Sequence, residues 1–220
     1  GIVLSELLMN NLTPFLNINK IYVLYNFVEN NLICSLEPIP EKETKGLRII
    51  YLSNLMKEKG IFDLLEAFML MDQRGIDFKA KIAGNIDESL KESINSHLGK
   101  LKNVEYCGIV NGKSKQDLYD WGNIFVLPTY YSMEGQPIAI LEAMATGNIV
   151  LTTKHAGIPD IFIDDKNGYY VDKKSPSSIV DKILLVNNNV EKRKTISTNN
   201  MRFVKEKFTS LIGAVLNTSS

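Results

Sequence analysis

Two glutamates, Glu134 and Glu142, stand eight positions apart in the run EGQPIAILEAMATG, with Pro137 between them and Gly147 closing it. Proline lacks a backbone N–H and is tolerated as a first helical residue, where that group has no partner. Ile138, Leu141 and Ala145 then recur at helical spacing, and Gly147 suits a C′ stop. The pattern predicts a helix starting at Pro137, with Glu134 just outside its N-terminus and Glu142 inside it. Unpaired N–H groups near Gly135, Gln136 and Ile138 can donate to hydroxyl or phosphate oxygens. Glu134 beside them is an acceptor suited to a hydroxylated ligand such as a sugar. Glu142, roughly 7–8 Å farther along the axis at 1.5 Å per residue, can accept from a second polyol. The competing reading is a helix-terminal charge plus an exposed helix glutamate.

Two other loops carry candidate chemistry. SNLMKEKG (53–60) opens with Ser53 and Asn54 and sets Lys57 and Lys59 directly before a helix. There an ammonium and a helix N-terminus attract the same anion; a solvated charged turn is the competing reading. AGN (83–85) is a strand-to-helix turn in which Gly84 permits close backbone approach. It is not the GxGxxG dinucleotide fingerprint, which this chain lacks. His97 and His155 are isolated from other ligand types, and a structural role is expected for each. Asp164 and Asp165, ahead of Lys166-Asn167-Gly168, read as turn residues rather than a metal site. Phe62, Leu65, Phe68 and Met69 form a core stripe, and Trp121 reads as a packing residue.

These loops need a scaffold, and the chain offers short apolar runs alternating with helical patterns. LRIIYLS (47–53), FKAKIAG (78–84), VEYCG (104–108), NIFVLP (123–128) and NIVLTT (148–153) read as strands. Helices are predicted over 61–71, 87–98, 114–121 and the run after Pro137. The alternation implies a doubly wound parallel sheet, Rossmann-like, with helices on both faces. Before it, KIYVLYNFV (20–28) reads as a strand and 29–46, with Pro38 and Pro40, as a linker; after it, 175–208 reads as two helices and 209–220 as a tail. The opening IVLSELLMNNL has no lead-in, as expected of a piece of something larger.

The 220 residues, 45% hydrophobic and 23% charged, suit an ordinary globular core. With 25 basic and 25 acidic residues, bulk charge gives no support to nucleic-acid binding. Cys34 and Cys107 are too few for a disulfide framework, which favours a reducing compartment. No apolar run is long enough to span a bilayer.

EGQPIAILEAMATG resembles the E-x7-E segment of retaining glycosyltransferases of the GT-B fold, in family four (group one). YLSNLMKEKGIFDLLEAF resembles that family's first strand, phosphate loop and helix of the donor domain. VEYCGIV resembles its V-x-F-x-G-x-V segment, GIPDIFIDDKNGYYV its G-x-P-E-I-I…NG-x-x-V segment, and IYVLYNFVE the strand and asparagine turn that close the preceding domain. The ordered set covers nearly all of 1–208.

The resemblance implies one half of a GT-B fold: 1–28 a remnant of the N-terminal acceptor domain, 29–46 the interdomain linker, 47–208 the donor-binding domain. It gives Lys59 the diphosphate of a nucleotide-sugar, Glu142 the ribose hydroxyls and Glu134 the hydroxyls of the donor sugar. Backbone groups of Gly135, Gln136, Pro137 and Ile138 would bind sugar and phosphate, with Gly108 and Ile109 near the nucleobase. Ser53, Asn54 and Gly84 line the same donor site. Where the family usually has arginine this chain has Asn54, so by the same resemblance Lys59 and the helix N-terminus would carry more of the phosphate charge, with Lys57 as the candidate to compensate.

The implied activity is transfer of a sugar to a glycan or glycolipid acceptor, with retention, with no metal or other cofactor and no nucleic acid. The acceptor would be held by the missing N-terminal domain, leaving this chain alone inactive. The implied setting is the cytoplasm, or the inner face of a membrane through peripheral association of the full-length protein. A noncatalytic nucleotide-sugar-binding module and a GT-B nucleotide-sugar epimerase are the alternatives, a phosphorylase being weaker.

Overall fold

The computed structural model describes residues 1–4, 7–28, 32 and 46–208. Six parallel strands form one sheet: β3 (Leu47–Leu52), β4 (Phe78–Ala83), β5 (Val104–Tyr106), β6 (Ile124–Leu127), β7 (Ile149–Thr152) and β8 (Gly168–Tyr170). Their order is β5-β4-β3-β6-β7-β8. The central strand β3 carries Ile49, Ile50 and Tyr51 with no exposed surface, and β6 and β7 are buried throughout. Burial on both faces is why these segments are continuous apolar runs rather than alternating ones. β3 pairs with β4 on one edge (Leu47↔Phe78 to Leu52↔Ala83) and with β6 on the other (Ile49↔Ile124, Ile50↔Phe125). Strand order reverses there, so a crevice opens outside the carboxyl ends of β3 and β6.

Between the strands run α1 (Ile61–Gln73), α2 (Lys91–Leu98), α3 (Gly112–Trp121) and α4 (Ile138–Ala145), followed by α5 (Pro176–Asn187) and α6 (Val190–Lys207). Helix α1 packs on α5, and α4 on α6. Leu65 and Phe68 of the predicted stripe are fully buried, with Phe62 and Met69 against the same core. The predicted 87–98 helix is a 3-10 turn (Glu88–Leu90) leading into α2, and the predicted strands are trimmed at their ends.

Three expectations change. Pro137 is not the first helical residue: at φ −62°, ψ 111° it is extended and precedes α4, which begins at Ile138. The strand expected over 20–28 shrinks to β2 (Tyr22–Val23), paired in parallel with β1 (Ile2–Val3). The third is an addition, β8, which arises where only a turn was expected: Gly168 at φ 146° brings its Cα against Val150, where a Cβ would lie 1.8 Å from the Val150 carbonyl oxygen. Most of the predicted linker and the whole 209–220 tail lie outside the described residues.

The opening segment docks on the loop before α4. Asn26 N–H donates to Gln136 Oε1 (3.1 Å) and Asn26 Nδ2 donates to the Gln136 carbonyl (2.7 Å). It also reaches the domain through Leu7 N–H, which donates to Asp160 Oδ2 (3.1 Å), and Val28 N–H, which donates to the Phe208 carbonyl (3.0 Å), while Phe15 is 81% exposed and Tyr22 68%.

Candidate active site

The loop after β3 enters the crevice as a 3-10 turn, Lys57–Lys59, stopped by Gly60 in the left-handed region at φ 76°. A Cβ at Gly60 would lie 2.4 Å from the Pro128 carbonyl oxygen, so only glycine lets this turn lie against the end of β6. Tyr130 N–H donates to the Glu58 carbonyl (2.8 Å), tying the two loops a second time. This contact brings Lys59 to Glu134. Lys59 Nζ stands 3.0 Å from Glu134 Oε1 and 2.7 Å from Oε2, with side chains 15% and 7% exposed.

Two further groups hold the pair. The fully buried Thr129 hydroxyl donates to Glu134 Oε2 (2.9 Å), and the Tyr131 ring faces the Lys59 ammonium at 4.8 Å. Below them the Tyr51 phenol is pushed far above its ordinary range, mainly by burial; a hydrogen bond with Ser53 opposes the shift and the nearby Glu134 charge adds to it. It stays protonated and donates to the Asn54 carbonyl (3.1 Å). His155 has a local structural contact, its Nε2 at 2.8 Å from the Tyr131 carbonyl.

Glu142 lies on α4 and is 5% exposed, not the exposed helix glutamate of the competing reading. Lys115 Nζ of α3 reaches its Oε1 at 2.5 Å, and the Tyr119 hydroxyl donates to Oε2 at 2.9 Å. Burial, then the Glu142 charge, raises the Tyr119 phenol well above its usual range, so it remains a donor. Between the two glutamates, the N–H groups of Gly135, Gln136 and Ile138 form no hydrogen bond among the described residues. Ile138 is the first residue of α4, so its N–H is the open donor expected at a helix N-terminus, and Gly135 and Gln136 add two more from the loop before it.

Ser53, Gly84 and Gly108 converge at the ends of β3, β4 and β5. Gly84 N–H donates to the Gly108 carbonyl (2.8 Å), and a Cβ on Gly84 would lie 1.8 Å from the Ser53 carbonyl oxygen. Ile109 beside them is 70% exposed. Asn54 and Lys57 are exposed, and neither side chain is among the hydrogen-bond partners of the Glu134 carboxylate. The sequence reading missed Thr129, Tyr131, Lys115 and Tyr119. A signal was present for two of them: Lys115 and Tyr119 sit at i, i+4 on one helical face, beside Leu118. Among the described residues no group of three or more His, Cys, Asp or Glu could hold a metal ion.

A profile of the family described as glycosyl transferases group 1 matches residues 36–203. The chain belongs to the group 1 glycosyltransferases. One relative, the capsular polysaccharide biosynthesis glycosyltransferase CapM of Staphylococcus aureus, is 28% identical over 162 residues, 74% of this chain and 42% of that one. The chain thus spans less than half the length of this curated relative. The structure of Anabaena HepE in complex with UDP and glucose superposes with a TM-score of 0.81 at 17% identity, over 99% of this chain and 62% of that one. The C-terminal domain of a group 1 protein, LpcC of Francisella tularensis, superposes at 0.70 with 24% identity, over 83% of this chain and 98% of that domain. The six-stranded parallel sheet is therefore the Rossmann-like half of a GT-B fold.

Proposed function

We propose that residues 47–208 are the donor-binding domain of a retaining glycosyltransferase that moves a hexose-type sugar from a nucleoside diphosphate to a glycan or glycolipid acceptor. The observation that carries this reading is the Lys59–Glu134 pair at the strand reversal, a fixed cation beside a carboxylate with open N–H donors next to it. Breaking the bond between an anomeric carbon and a diphosphate builds negative charge on phosphate, and a preorganised cation and helix N-terminus act where that charge develops. Lys59 carries three N–H groups, and Glu134 engages at most two of them. At least one remains for a phosphate oxygen. Asn54 adds no charge, and Lys57 supplies a second positive charge on the same turn.

Glu134 then orients the sugar rather than attacking it. Its oxygens already accept from an ammonium and a hydroxyl, which lowers their nucleophilicity. Glu142 accepts from ribose hydroxyls, and the exposed edge at Gly108 and Ile109 receives the nucleobase. The UDP and glucose in the HepE structure support a nucleotide-sugar ligand, and the CapM name supports a role in surface polysaccharide assembly. In this reading 1–28 belongs to the acceptor domain, 29–46 is the interdomain linker and 209–220 a tail. The protein works in the cytoplasm or peripherally at the inner face of the membrane, without a metal. Among the described residues no helix is long and apolar enough to cross a membrane.

The test has two stages. The 220-residue chain is titrated calorimetrically with UDP, GDP and ADP and with matching nucleotide-sugars, and binding to at least one pair is expected. The chain and a longer version carrying the acceptor domain are then given donor and acceptor, with products read by mass spectrometry. Transfer by the longer version alone is expected, since a GT-B reacting centre is completed by closure of two domains. No binding to any nucleoside diphosphate discards the reading; epimerised sugar without transfer replaces it with epimerase chemistry.

A further inference from the structure

The inward face of α3 carries a group that an apolar stripe does not call for. Leu118 and Tyr119 are 4% and 0% exposed, and Lys115 stands at i−3 and i−4 to them, its side chain only 20% exposed. An ammonium at such a place is costly unless paired, and its partner is Glu142 at 2.5 Å. The two groups that grip this carboxylate differ in access. Tyr119 is fully enclosed and takes Oε2, whereas Lys115 takes Oε1 from the side that reaches solvent. Lysine has three N–H groups on its ammonium, and Glu142 is the one hydrogen-bond acceptor found for that ammonium among the described residues. Donors remain at its exposed end.

A ribose hydroxyl both donates and accepts. When a carboxylate takes its hydrogen, its oxygen can accept from an N–H close by, and an ammonium already in contact with that carboxylate is placed to supply it. We propose that Lys115 is a ribose-recognising residue: Glu142 accepts the hydroxyl hydrogen and Lys115 donates to the same hydroxyl oxygen. This rests on the reading that Glu142 faces the ribose of a nucleoside diphosphate. The consequence is discrimination. A site built to bond a hydroxyl from both sides rejects the analogue that lacks it, because buried polar groups are left unpaired. A lysine aimed at phosphate gives no such discrimination, since ribonucleotides and deoxyribonucleotides share the diphosphate.

The experiment compares UDP, GDP and ADP with their 2′-deoxy and 3′-deoxy counterparts, by calorimetry on the unmodified chain and on Lys115→Met. The ribo-over-deoxy preference is expected to fall by about tenfold in Lys115→Met, the weight of one hydrogen bond to a charged group. Affinity for the deoxy ligand should change much less, and Lys115→Arg should restore part of the preference. An equal loss for ribo and deoxy ligands assigns Lys115 to phosphate or to folding and overturns the proposal; so does an unchanged preference. If the unmodified chain binds no nucleoside diphosphate, the nucleotide reading itself falls and this proposal with it. Should Lys115→Met be too unstable to titrate, Lys115→Gln keeps amide N–H donors toward Glu142 but is shorter and brings no charge. A partial loss of preference there supports the proposal, and an unchanged preference overturns it.

Discussion

Lys59 and Glu134 are separated by 75 residues of chain, yet the Lys59 ammonium lies within 3.0 Å of both carboxylate oxygens. They come from the loops that follow β3 and β6, the two strands between which strand order reverses. A ligand entering the crevice meets a cation and an anion already joined.

Removing either partner therefore has two separable effects. Lys59→Ala leaves a nearly buried carboxylate with Thr129 alone and should cost about 3 kcal/mol of stability, at the low end for breaking a buried pair. It should also weaken every diphosphate ligand. Glu134→Ala frees the ammonium, so nucleoside diphosphate affinity should hold while nucleotide-sugar affinity drops. Denaturant melts and paired titrations measure both. Equal loss for the two ligand types in Glu134→Ala would show that its carboxylate does not serve the sugar.

Glu142→Ala should weaken nucleoside diphosphate binding by about 1.5–3 kcal/mol, the range for a hydrogen bond to a charged group. Calorimetry on folded variant protein decides it. Unchanged affinity removes Glu142 from the ribose.

Gly60→Ala tests whether the turn that presents Lys59 must touch β6. The added Cβ would lie 2.4 Å from the Pro128 carbonyl oxygen in a left-handed conformation. The clash should cost about 1–3 kcal/mol and push the lysine turn away from Glu134. Stability and nucleoside diphosphate affinity should fall together. Full affinity in the variant would mean that the turn adjusts without moving Lys59.

Asp63, in the first turn of α1, carries a carboxyl raised above its ordinary value, chiefly by burial. Glu66 adds to the shift, while Lys174 and Lys57 oppose it; its Oδ2 has no hydrogen-bond partner among the described residues. A carboxyl raised in the folded state binds more protons folded than unfolded, so stability falls as pH rises from 3.8 through the raised value. Asp63→Asn removes that loss. It should stabilise the chain at pH 7 by under about 1 kcal/mol, because solvent screens a half-exposed charge. It should have no effect in acid below the ordinary carboxyl range. Melting curves across pH test the sign, and a variant less stable at neutral pH would mean that the helix N-terminus outweighs burial.

The sheet was readable because parallel strands buried on both faces leave apolar runs such as LRIIYLS. Lys59 and Glu134 stood out in the sequence as candidates because each sits in a local motif at a strand end. What escaped were partners set by the third dimension. Thr129 and Tyr131 acquire meaning only once the β3 and β6 loops meet, and Lys115 lies 27 residues from the carboxylate it holds. Buried amides escaped for a related reason. Asn200 has no exposed surface and its Nδ2 donates to the carbonyls of Asn148 (2.8 Å) and Asn167 (2.9 Å), docking α6 on β7 and the start of β8. In sequence it is one more polar residue in a helix whose residues are mostly polar, and hydropathy cannot distinguish it from a solvated one. The same holds for β8, a three-residue strand whose place depends on the bare Cα of Gly168.

The position of β3, with a later neighbour on each side, also bears on the order in which the molecule assembles. Pairing β3 with β4 and β4 with β5 joins segments close in the chain, whereas bringing β6 to the free edge of β3 closes a loop across most of the first half of the domain. Closure entropy rises with loop length, and distant pairings come at the expense of speed. The cation-bearing turn can thus be built well before its carboxylate arrives. During refolding, recovery of nucleotide binding should lag recovery of helical signal, and nucleotide added early should not speed the slow phase, because no partly paired sheet yet holds both halves of the crevice.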